Sequence, residues 1–346
     1  MADGPTLAEL GEWELISRLG AFAPPGQFAD DAALLPLRLD GGVGGSLVIN
    51  TDVLVEGVHF SDRTTSPIDT GWRAAVANLS DLAAMGCTDV VGLTVGLVAP
   101  GSTPWAWVEG VYGGVQQALH TYGGEILGGD CSGGEQRMLA VTAIGRLGKP
   151  VPGAACGGPI RRQDGHPGDL LVCTGPHGLS RLGLALLQEP AGAPAGSLPP
   201  RLRQRAIGAH QRPRPRFDAV EALISSRPNG LDWRVGGCDS SDGLAAAVAA
   251  IASTSGCAVR LDHSALPLDP AMAGQPQAEA WCLSGGEDFE LVLALEPAWA
   301  SALLAGLPGA TVIGRLETGP AGDLGWSDGS PWPEETCWIG GFQHFG

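Results

Sequence analysis

Hydrophobic positions recur along the chain with two different periods, and together these predict a mixture of helices and strands. Apolar residues at three- and four-residue spacing predict helices over residues 9–19, 70–85, 105–122 and 245–253. Short apolar or alternating runs predict strands over residues 46–51, 90–98, 138–147, 169–174, 258–261 and 290–295. Because both halves of the chain mix the two element types, the predicted fold class is α/β or α+β.

The length and one change in composition predict two domains. The chain has 346 residues, and a domain usually takes about 150. Around residues 148–158 the sequence becomes GKPVPGAACGG, a plausible boundary. We therefore expect an N-terminal α/β domain over residues 1–150 and a C-terminal α/β domain over residues 151–346. A Pro/Gly-rich surface loop, EPAGAPAGSLPP, is expected over residues 189–200.

Charge and cysteine usage restrict the protein class. The formal net charge is −17 and the pI is near 4.7, which argues against nucleic acid or a membrane surface as partner. No apolar stretch reaches the 18 or so residues of a membrane span, and the N-terminus lacks the features of a secretory signal. The eight cysteines form no C-x-x-C pair. These observations predict a cytoplasmic protein with reduced, mostly buried thiols.

Acidic residues recur beside Gly, Ser and Thr at the ends of apolar segments. The pattern occurs at Asp30-Asp31, Thr51-Asp52, Ser80-Asp81, Gly129-Asp130, Asp239-Ser240-Ser241-Asp242 and Gly286-Glu287-Asp288. A single such aspartate is an ordinary turn or cap residue. Carboxylates that converge without a cation repel by about 4 kcal/mol per close pair at an effective dielectric of 20. Oxygen-rich sites of this kind suit Mg²⁺, which bridges carboxylates to phosphates, so the pattern predicts a magnesium site.

Two placements allow more than one interpretation. Asp81 lies near the end of a predicted helix, where its charge opposes the helix dipole, so another group should stabilise it. Asp239 and Asp242 lie three apart just before the helix that begins near Leu244. Capping that helix accounts for one of them, and the pair together can cap it and also hold a cation.

Several nucleotide-binding motifs are missing from the sequence. The single lysine, Lys149, precedes proline, and no G-x-x-x-x-G-K-[ST] motif is present, which excludes a P-loop. Metal ions must then supply most of the charge that neutralises bound phosphates, with arginines such as Arg146 or Arg162 assisting. The glycines before Asp130 permit close backbone approach to a ligand, although a plain tight turn accounts for them equally well.

Seven segments in order resemble the motif series of the thiamine-monophosphate kinase family. They are ADDAALL, NTDVLVEGVHF, NLSDLAAMG, LGGDCS, DSSDGL, LSGGEDFELV and the closing GFQHF, and they run from about residue 28 to residue 345. The family belongs to the aminoimidazole ribonucleotide synthetase superfamily. The resemblance implies a two-domain fold of that type, with N-terminal sheets that pair into a barrel in a homodimer.

The resemblance also implies roles for individual residues. Magnesium would be held by Asp31, Asn50, Thr51, Asp52, Asp81, Asp130, Asp239 and Asp242. ATP would contact Gly129, Asp130, Arg162 and Ser241, and thiamine monophosphate would contact His59, Glu287 and Phe342. The chain departs from the family in Ala29, where a glycine commonly precedes the aspartate pair, so that turn is expected to differ.

The implied reaction is phosphorylation of thiamine monophosphate by ATP to thiamine diphosphate. A phosphomonoester oxygen is already largely anionic at neutral pH, so direct in-line transfer needs no general base and we assign none. Two alternatives are another ATP-using enzyme of the superfamily and a non-catalytic acidic protein that binds divalent cations. The N-terminal cysteine expected of a selenophosphate synthetase and the C-terminal cysteine of the hydrogenase-maturation relative are both missing, as is an EF-hand loop.

Overall fold

The structure, a computed structural model, describes residues 5–39, 42–148, 157–189 and 198–332. A first mixed sheet is built from β1 (Ala33–Leu39), β2 (Gly42–Val55), β3 (Asp89–Ala99), β4 (Glu125–Gly133) and β5 (Met138–Leu147). Its strand order is β1-β2-β5-β3-β4, and the pairing is antiparallel except between β3 and β4. The β4 strand therefore forms one edge of this sheet.

Helix α1 (Leu7–Leu19) precedes the first sheet in the chain. Helices α2 (Pro67–Ala84) and α3 (Trp105–Tyr122) cover one face of that sheet. Helices α2 and α3 pack closely because glycines lie at their contact. A Cβ on Gly71 would come within 1.9 Å of the Val111 carbonyl oxygen, and one on Gly114 equally close to that of Ile68. The apolar face of α2, including Leu79 and Leu82, is fully buried in the first core.

The opposite face of the first sheet and its β4 edge are exposed in the single chain. All nine residues of β4 are exposed. Apolar side chains at Leu35, Val53, Ile126 and Leu127 are also exposed, and α1 buries no residue. Exposed apolar surface on a sheet is typical of an interaction face. The predicted pairing of two such sheets into a barrel stays a prediction.

The second sheet has six strands: β6 (Leu170–Cys173), β7 (Gly236–Asp239), β8 (Ala258–Leu261), β9 (Leu291–Leu295), β10 (Thr311–Glu317) and β11 (Leu324–Trp326). Their order is β11-β8-β10-β6-β9-β7. The helices of this half are α4 (Leu179–Gln188), α5 (Pro200–Gln211), α6 (Phe217–Ser225), α7 (Leu244–Thr254), α8 (Ala278–Ser284) and α9 (Pro297–Gly306). Side chains of α7 and α8 pack on one face of the sheet, and those of α6 and α9 pack on the other.

Helix α2 joins the two halves. Its last residues, Ala83 and Ala84, belong to the same core cluster as Ile160 and Val172 of the C-terminal half. The backbone N–H of Ile160 donates to the Met85 carbonyl at 3.2 Å. Polar groups along α2 therefore lie at the junction of the two sheets, where both halves can contribute side chains to one site.

The predicted helices and strands are present, and the fold is the predicted two-domain α/β type. The strand predicted over residues 46–51 is longer than expected, because β2 pairs with β5 along ten residues from Ser46 to Val55. The strand β4 was not predicted, since its exposed, glycine-rich sequence lacks an apolar alternation. The predicted boundary at residue 150 and most of the loop over residues 189–200 lie outside the described residues.

The cysteine prediction can be tested at six positions. Cys87, Cys173, Cys238, Cys257 and Cys282 are free and buried, and Cys131 is free and exposed. Cys156 and Cys337 lie outside the described residues. Among the described helices, none combines the length and the hydropathy that a bilayer crossing requires.

Candidate active site at the domain junction

Three aspartates from distant parts of the chain meet at the junction of the two sheets. Asp31 lies just before β1, Asp81 lies in the last turns of α2, and Asp239 is the last residue of β7. One carboxylate oxygen of each lies within 4.8 Å of the others. We call Asp31, Asp81 and Asp239 the aspartate cluster. These three predicted metal ligands are thus brought together by the fold.

Each carboxylate of the aspartate cluster has a polar partner in the chain. The Ser80 hydroxyl donates to Asp239 Oδ2 at 2.5 Å, and Asn50 Nδ2 donates to Asp81 Oδ2 at 2.6 Å. The guanidinium of Arg162 donates to Asp31 Oδ1. The Asn50 amide thus provides the stabilisation that was expected for Asp81 at the end of its helix. Arg162, predicted to contact ATP, lies beside Asp31.

One arginine does not neutralise the three carboxylates of the aspartate cluster, of which Asp239 is buried and Asp31 and Asp81 are partly buried. Burial, and then the charges of Asp52, Asp239 and Asp31, raise the pKa of Asp81 well above its ordinary value. Burial and then the Asp31 charge raise the pKa of Asp239 to about 8. The pKa of Asp31 is also raised by burial, although Arg162 opposes this. Such a set of groups favours either bound protons or an added cation.

The donor atoms of the aspartate cluster fit a hard divalent cation. Besides the carboxylates, Asp31 Oδ2 and Asn50 Oδ1 are buried and have no hydrogen-bond partner among the described residues. Buried oxygens of this kind cost free energy unless they bind something. Mg²⁺ takes oxygen ligands, so this group of carboxylate and amide oxygens can accommodate it.

Alternation along β2 separates the three predicted ligands Asn50, Thr51 and Asp52. Asn50 and the backbone N–H of Asp52 both contact Asn78 Oδ1 on α2, each at 3.1 Å. The Thr51 hydroxyl instead lies 2.8 Å from the hydroxyl of Thr142 and is exposed. Successive strand residues point to opposite faces. The Thr51 side chain therefore points away from the aspartate cluster.

Asp130 is also remote from the aspartate cluster within one chain. Through the strand pairing, Asp130 is in register with Gly96, Ala140 and Val53. Val53 is the residue after Asp52 on β2, so its side chain points to the opposite face of the sheet from that of Asp52. Asp130 therefore faces away from α2, and three strand spacings, about 14 Å, separate its strand from β2. Asp130 and its neighbour Gly129 are exposed. Of the predicted metal ligands, Asp130 is thus not brought to the cluster by the fold of a single chain.

The capping role considered for Asp239 and Asp242 is wrong. The N-cap residue of α7 is Gly243, and no side chain forms a cap hydrogen bond there. Asp239 is buried on β7, whereas Ser241 and Asp242 are exposed in the turn that follows. The Ser241 carbonyl accepts a hydrogen bond from the Glu287 backbone N–H at 2.6 Å. The turn after β7 is thereby connected to the Gly285–Asp288 segment.

A second group of polar side chains surrounds Glu287. Its Oε1 accepts a hydrogen bond from Arg73 on α2, and its Oε2 lies 3.5 Å from His210 Nδ1. The same arginine donates to the His59 carbonyl at 3.2 Å. We call Arg73, His210 and Glu287 the arginine cluster. It brings together His59 and Glu287, the two described residues that were predicted to contact thiamine monophosphate.

The backbone around Glu287 is conformationally strained. Glu287 and Phe289 have positive φ values of 59° and 52°, which side-chain-bearing residues rarely adopt. Asp288 between them accepts hydrogen bonds from the backbone N–H groups of Gly178, at 2.6 Å, and Ser180, at 3.0 Å. Burial raises the pKa of Asp288 to about 7, although these hydrogen bonds oppose the shift. Strain held in this way is typical of a functional segment.

Some predictions fall elsewhere, and some site residues were not predicted. Phe342 lies outside the described residues, and Arg146 pairs with Asp89 on β3 at 3.3 Å. Sequence reasoning missed Ser80, Arg73 and His210. A usable signal for Arg73 was its own position: it is a charged residue on a mostly apolar helix, seven residues before Ser80 and therefore on the same helix face.

Comparisons with known proteins identify the family of the chain. The AIR synthase related protein, N-terminal domain family model matches residues 29–147, and the corresponding C-terminal domain model matches residues 166–327. Thiamine-monophosphate kinase of Prochlorococcus marinus is 45% identical over 323 residues, covering 93% of each chain. The chain belongs to this family. Thiamine-monophosphate kinase of Synechococcus elongatus is 44% identical over 342 residues, covering 98% of each chain.

Solved structures of family members share the fold. The structure of AaThiL complexed with AMPPCP and TMP has a TM-score of 0.79 and 28% identity, covering 99% of this chain and 100% of that one. Thiamine monophosphate kinase from Aquifex aeolicus has a TM-score of 0.71 and 27% identity, covering 90% of this chain and 96% of that one. The family membership and the two-domain fold therefore agree.

Proposed function

We propose that this protein transfers the γ-phosphoryl group of ATP directly to thiamine monophosphate, giving ADP and thiamine diphosphate. The observation that carries the proposal is the aspartate cluster, three carboxylates within 4.8 Å of one another and sheltered from solvent to different degrees, in a member of the thiamine-monophosphate kinase family. The relatives' names and the AMPPCP and TMP of the AaThiL complex support the two substrates.

Mg²⁺ would be held by the aspartate cluster with Asn50, Asp52 and Asp242. When bound, it supplies positive charge that neutralises the phosphates brought together in the reaction. Thr51 would take part only through its backbone, because its hydroxyl is bonded to Thr142. Arg162 favours the ionised form of Asp31, against the effect of burial, and would add a fixed cation beside the phosphates, which is a role compatible with the predicted ATP contact.

The chain's own residues need only bind and orient the reactants. A phosphomonoester has a second pKa near 6, so its oxygen can attack without losing a proton to the protein. Transfer through a loose transition state depends on positioning and on electrostatic stabilisation. No residue is therefore assigned as a general base, and the aspartates act by holding charge in place.

His59 and Glu287 would bind the thiamine end of the acceptor. Burial alone would raise the pKa of Glu287, but the positive charge of Arg73 and its hydrogen bond hold that pKa below the ordinary value. An ionised carboxylate attracts the permanently cationic thiazolium ring of thiamine. His59 Nδ1 accepts a hydrogen bond from the Val55 N–H at 2.9 Å, so the other ring nitrogen carries the proton and can donate to a ligand. Phe342 is proposed to stack on the substrate.

A homodimer is part of the proposal. The exposed β4 edge and the exposed apolar residues Leu35, Val53 and Ile126 would be covered by the sheet of a second copy. Gly129 and Asp130 would contact ATP or a second Mg²⁺ in that assembly. Since they face away from the aspartate cluster of their own chain, their contribution is expected to depend on dimerisation.

The direct test is to incubate the protein with ATP, MgCl₂ and thiamine monophosphate and to measure thiamine diphosphate and ADP. We expect both products in equal amounts, with no turnover in excess EDTA. Free thiamine serves as the control acceptor, because it lacks the anionic phosphate oxygen. Binding of Mg²⁺ without formation of thiamine diphosphate would instead support the alternative of a non-catalytic cation-binding protein.

A further inference from the structure

Arg73 is a buried arginine whose three acceptors come from both domains. It lies on α2 and is 3% exposed. Its Nη1 donates to the His210 carbonyl at the end of α5. Its Nη2 donates both to the His59 carbonyl, at 3.2 Å, and to Glu287 Oε1. One guanidinium thus fixes the backbone of one predicted thiamine-binding residue and the carboxylate of the other.

This geometry needs an arginine. The guanidinium presents several N–H donors in a rigid plane, so it can hold acceptors in different directions at once. A lysine has one compact charge on a flexible stem and cannot reproduce the arrangement. His59 belongs to the first domain and Glu287 to the second, so Arg73 fixes the spacing between two domains and not only the rotamer of one side chain.

Arg73 also supplies the positive charge of the arginine cluster. Burial, and then the Arg73 charge, lower the pKa of His210 to about 4, so that imidazole is neutral at pH 7. The positive charge that faces the Glu287 carboxylate inside this cluster therefore belongs to Arg73. Without it, burial would favour the protonated form of Glu287, which attracts a cation much less.

We propose that Arg73 is a positioning residue for the thiamine end of the acceptor, holding Glu287 and the His59 segment in a fixed relation across the domain junction. This inference rests on the proposed function. The competing explanation is that Arg73 merely attaches α2 to α5. The chain offers a control for that explanation in Arg212, just after α5, whose Nε donates to Asp69 of α2 at 2.6 Å and whose guanidinium lies over Trp72.

The experiment compares Arg73→Lys, Arg73→Gln and Arg212→Lys with the parent protein. KM for thiamine monophosphate, KM for ATP, kcat and the melting temperature are measured for each. We expect Arg73→Lys to raise KM for thiamine monophosphate about tenfold and KM for ATP less than about twofold. Arg212→Lys should leave both KM values within about twofold.

A double-mutant cycle with Glu287→Gln tests the coupling. If Arg73 acts through Glu287, Arg73→Gln should add little to the rise in KM for thiamine monophosphate that Glu287→Gln already causes. Direct binding of thiamine monophosphate, followed by calorimetry, should repeat the KM pattern without turnover. Independent, multiplicative effects of the two substitutions would overturn the assignment.

The remaining outcomes also decide the question. Equal rises in both KM values, or the same effect from Arg212→Lys, would make Arg73 a structural residue only. Failure of both Arg73 variants to fold would lead to the same conclusion. If the parent protein forms no thiamine diphosphate, the proposed function fails and this inference fails with it. An active parent with an unaffected Arg73→Lys variant removes this inference alone.

Discussion

The aspartate cluster and the arginine cluster both place carboxylates at the domain junction, but the charges of these carboxylates are compensated differently. In the arginine cluster, one carboxylate faces one guanidinium, and the pKa of Glu287 is lowered. In the aspartate cluster, three carboxylates share Arg162, and the pKa values of Asp31, Asp81 and Asp239 are all raised. In the arginine cluster, the charge of the carboxylate is therefore neutralised within the chain. In the aspartate cluster, the excess negative charge is neutralised only when protons or a cation bind.

The difference in charge compensation indicates that the two clusters bind ligands of different charge. A site with excess negative charge attracts Mg²⁺ and, through it, the phosphates. A site with a single, neutralised carboxylate can hold that carboxylate in a defined position for an uncharged or cationic group. We therefore expect substitutions in the aspartate cluster to affect mainly turnover, and substitutions in the arginine cluster to affect mainly substrate affinity and stability.

The largest effect is expected from Asp81→Asn in the aspartate cluster. Turnover should fall on the order of 100- to 1,000-fold, because an element of transition-state charge compensation is lost. The free energy of unfolding without Mg²⁺ should not decrease, since the substitution removes repulsion from Asp52, Asp239 and Asp31. Steady-state kinetics and urea unfolding in EDTA measure the two quantities. Asp323→Asn, at a partly buried pair with Arg260 far along the chain from the aspartate cluster, is the control. Strong destabilisation by Asp81→Asn alone would contradict the comparison.

A smaller change in rate but a greater loss of stability is expected from Glu287→Gln. KM for thiamine monophosphate should rise about tenfold, as for loss of one charged contact. The free energy of unfolding should fall by about 2 kcal/mol, because Arg73 is left buried without its counter-ion. This is less than for a fully buried pair, since the Glu287 side chain is 33% exposed. An unchanged KM with unchanged stability would refute the role of the arginine cluster.

The pH dependence of stability should come from the aspartate cluster. Asp239 has a pKa of about 8 in the folded chain and about 4 when unfolded, so the folded form binds an extra proton between these values. The stability of the Mg²⁺-free protein therefore falls as pH rises from about 4 to about 8. Bound Mg²⁺ favours the ionised carboxylates, so its stabilising effect grows with pH.

Thermal melts at pH 6, 7, 8 and 9, with and without Mg²⁺, measure this dependence. The rise in melting temperature caused by Mg²⁺ should be several degrees larger at pH 8 than at pH 6. The conversion is about 2–4 °C per kcal/mol for a large domain. Asp239→Asn should reduce both the pH dependence and the Mg²⁺ effect. Glu287→Gln should leave both in place, because the pKa of Glu287 is below its ordinary value and this carboxylate does not titrate between pH 6 and 9. A Mg²⁺ shift independent of pH would argue against proton release from the cluster.

The smallest effect is expected from Thr51→Val. The Thr51 hydroxyl bonds to Thr142 on the face away from the aspartate cluster, so kcat and the Mg²⁺ dependence should change less than about twofold. Asn50→Ala on the adjacent position removes a donor to Asp81 and provides the contrast. A loss of Mg²⁺ affinity in Thr51→Val comparable to that in Asn50→Ala would show that the hydroxyl does contact the ion.

Much of the site could be predicted because the motifs occur at the ends of predictable elements. Asp81 lies near the end of a predicted amphipathic helix, and Asp239 lies just before the predicted helix that begins near Leu244, so both were recognisable before their proximity was known. Glu287 belonged to the recurrent acidic pattern, but its substrate-binding role came only from the resemblance to a family, since nothing in its local pattern specifies an ion pair with Arg73. Arg73 and His210 were missed because their role depends on the packing of α2 against α5, which brings residues 137 positions apart into contact.

The amino-acid sequence by itself determined the types of the strongly periodic elements, the two-domain class and the acidic residues available for a cation, because these depend on local periodicity and on residue chemistry. Only the tertiary structure decided which carboxylates converge. It put Asp31, Asp81 and Asp239 together and turned Thr51 and Asp130 to the other face of the sheet, through strand alternation and register. The packing of α2 between the two sheets decided the rest, since charge compensation depends on distances between segments that no local pattern encodes.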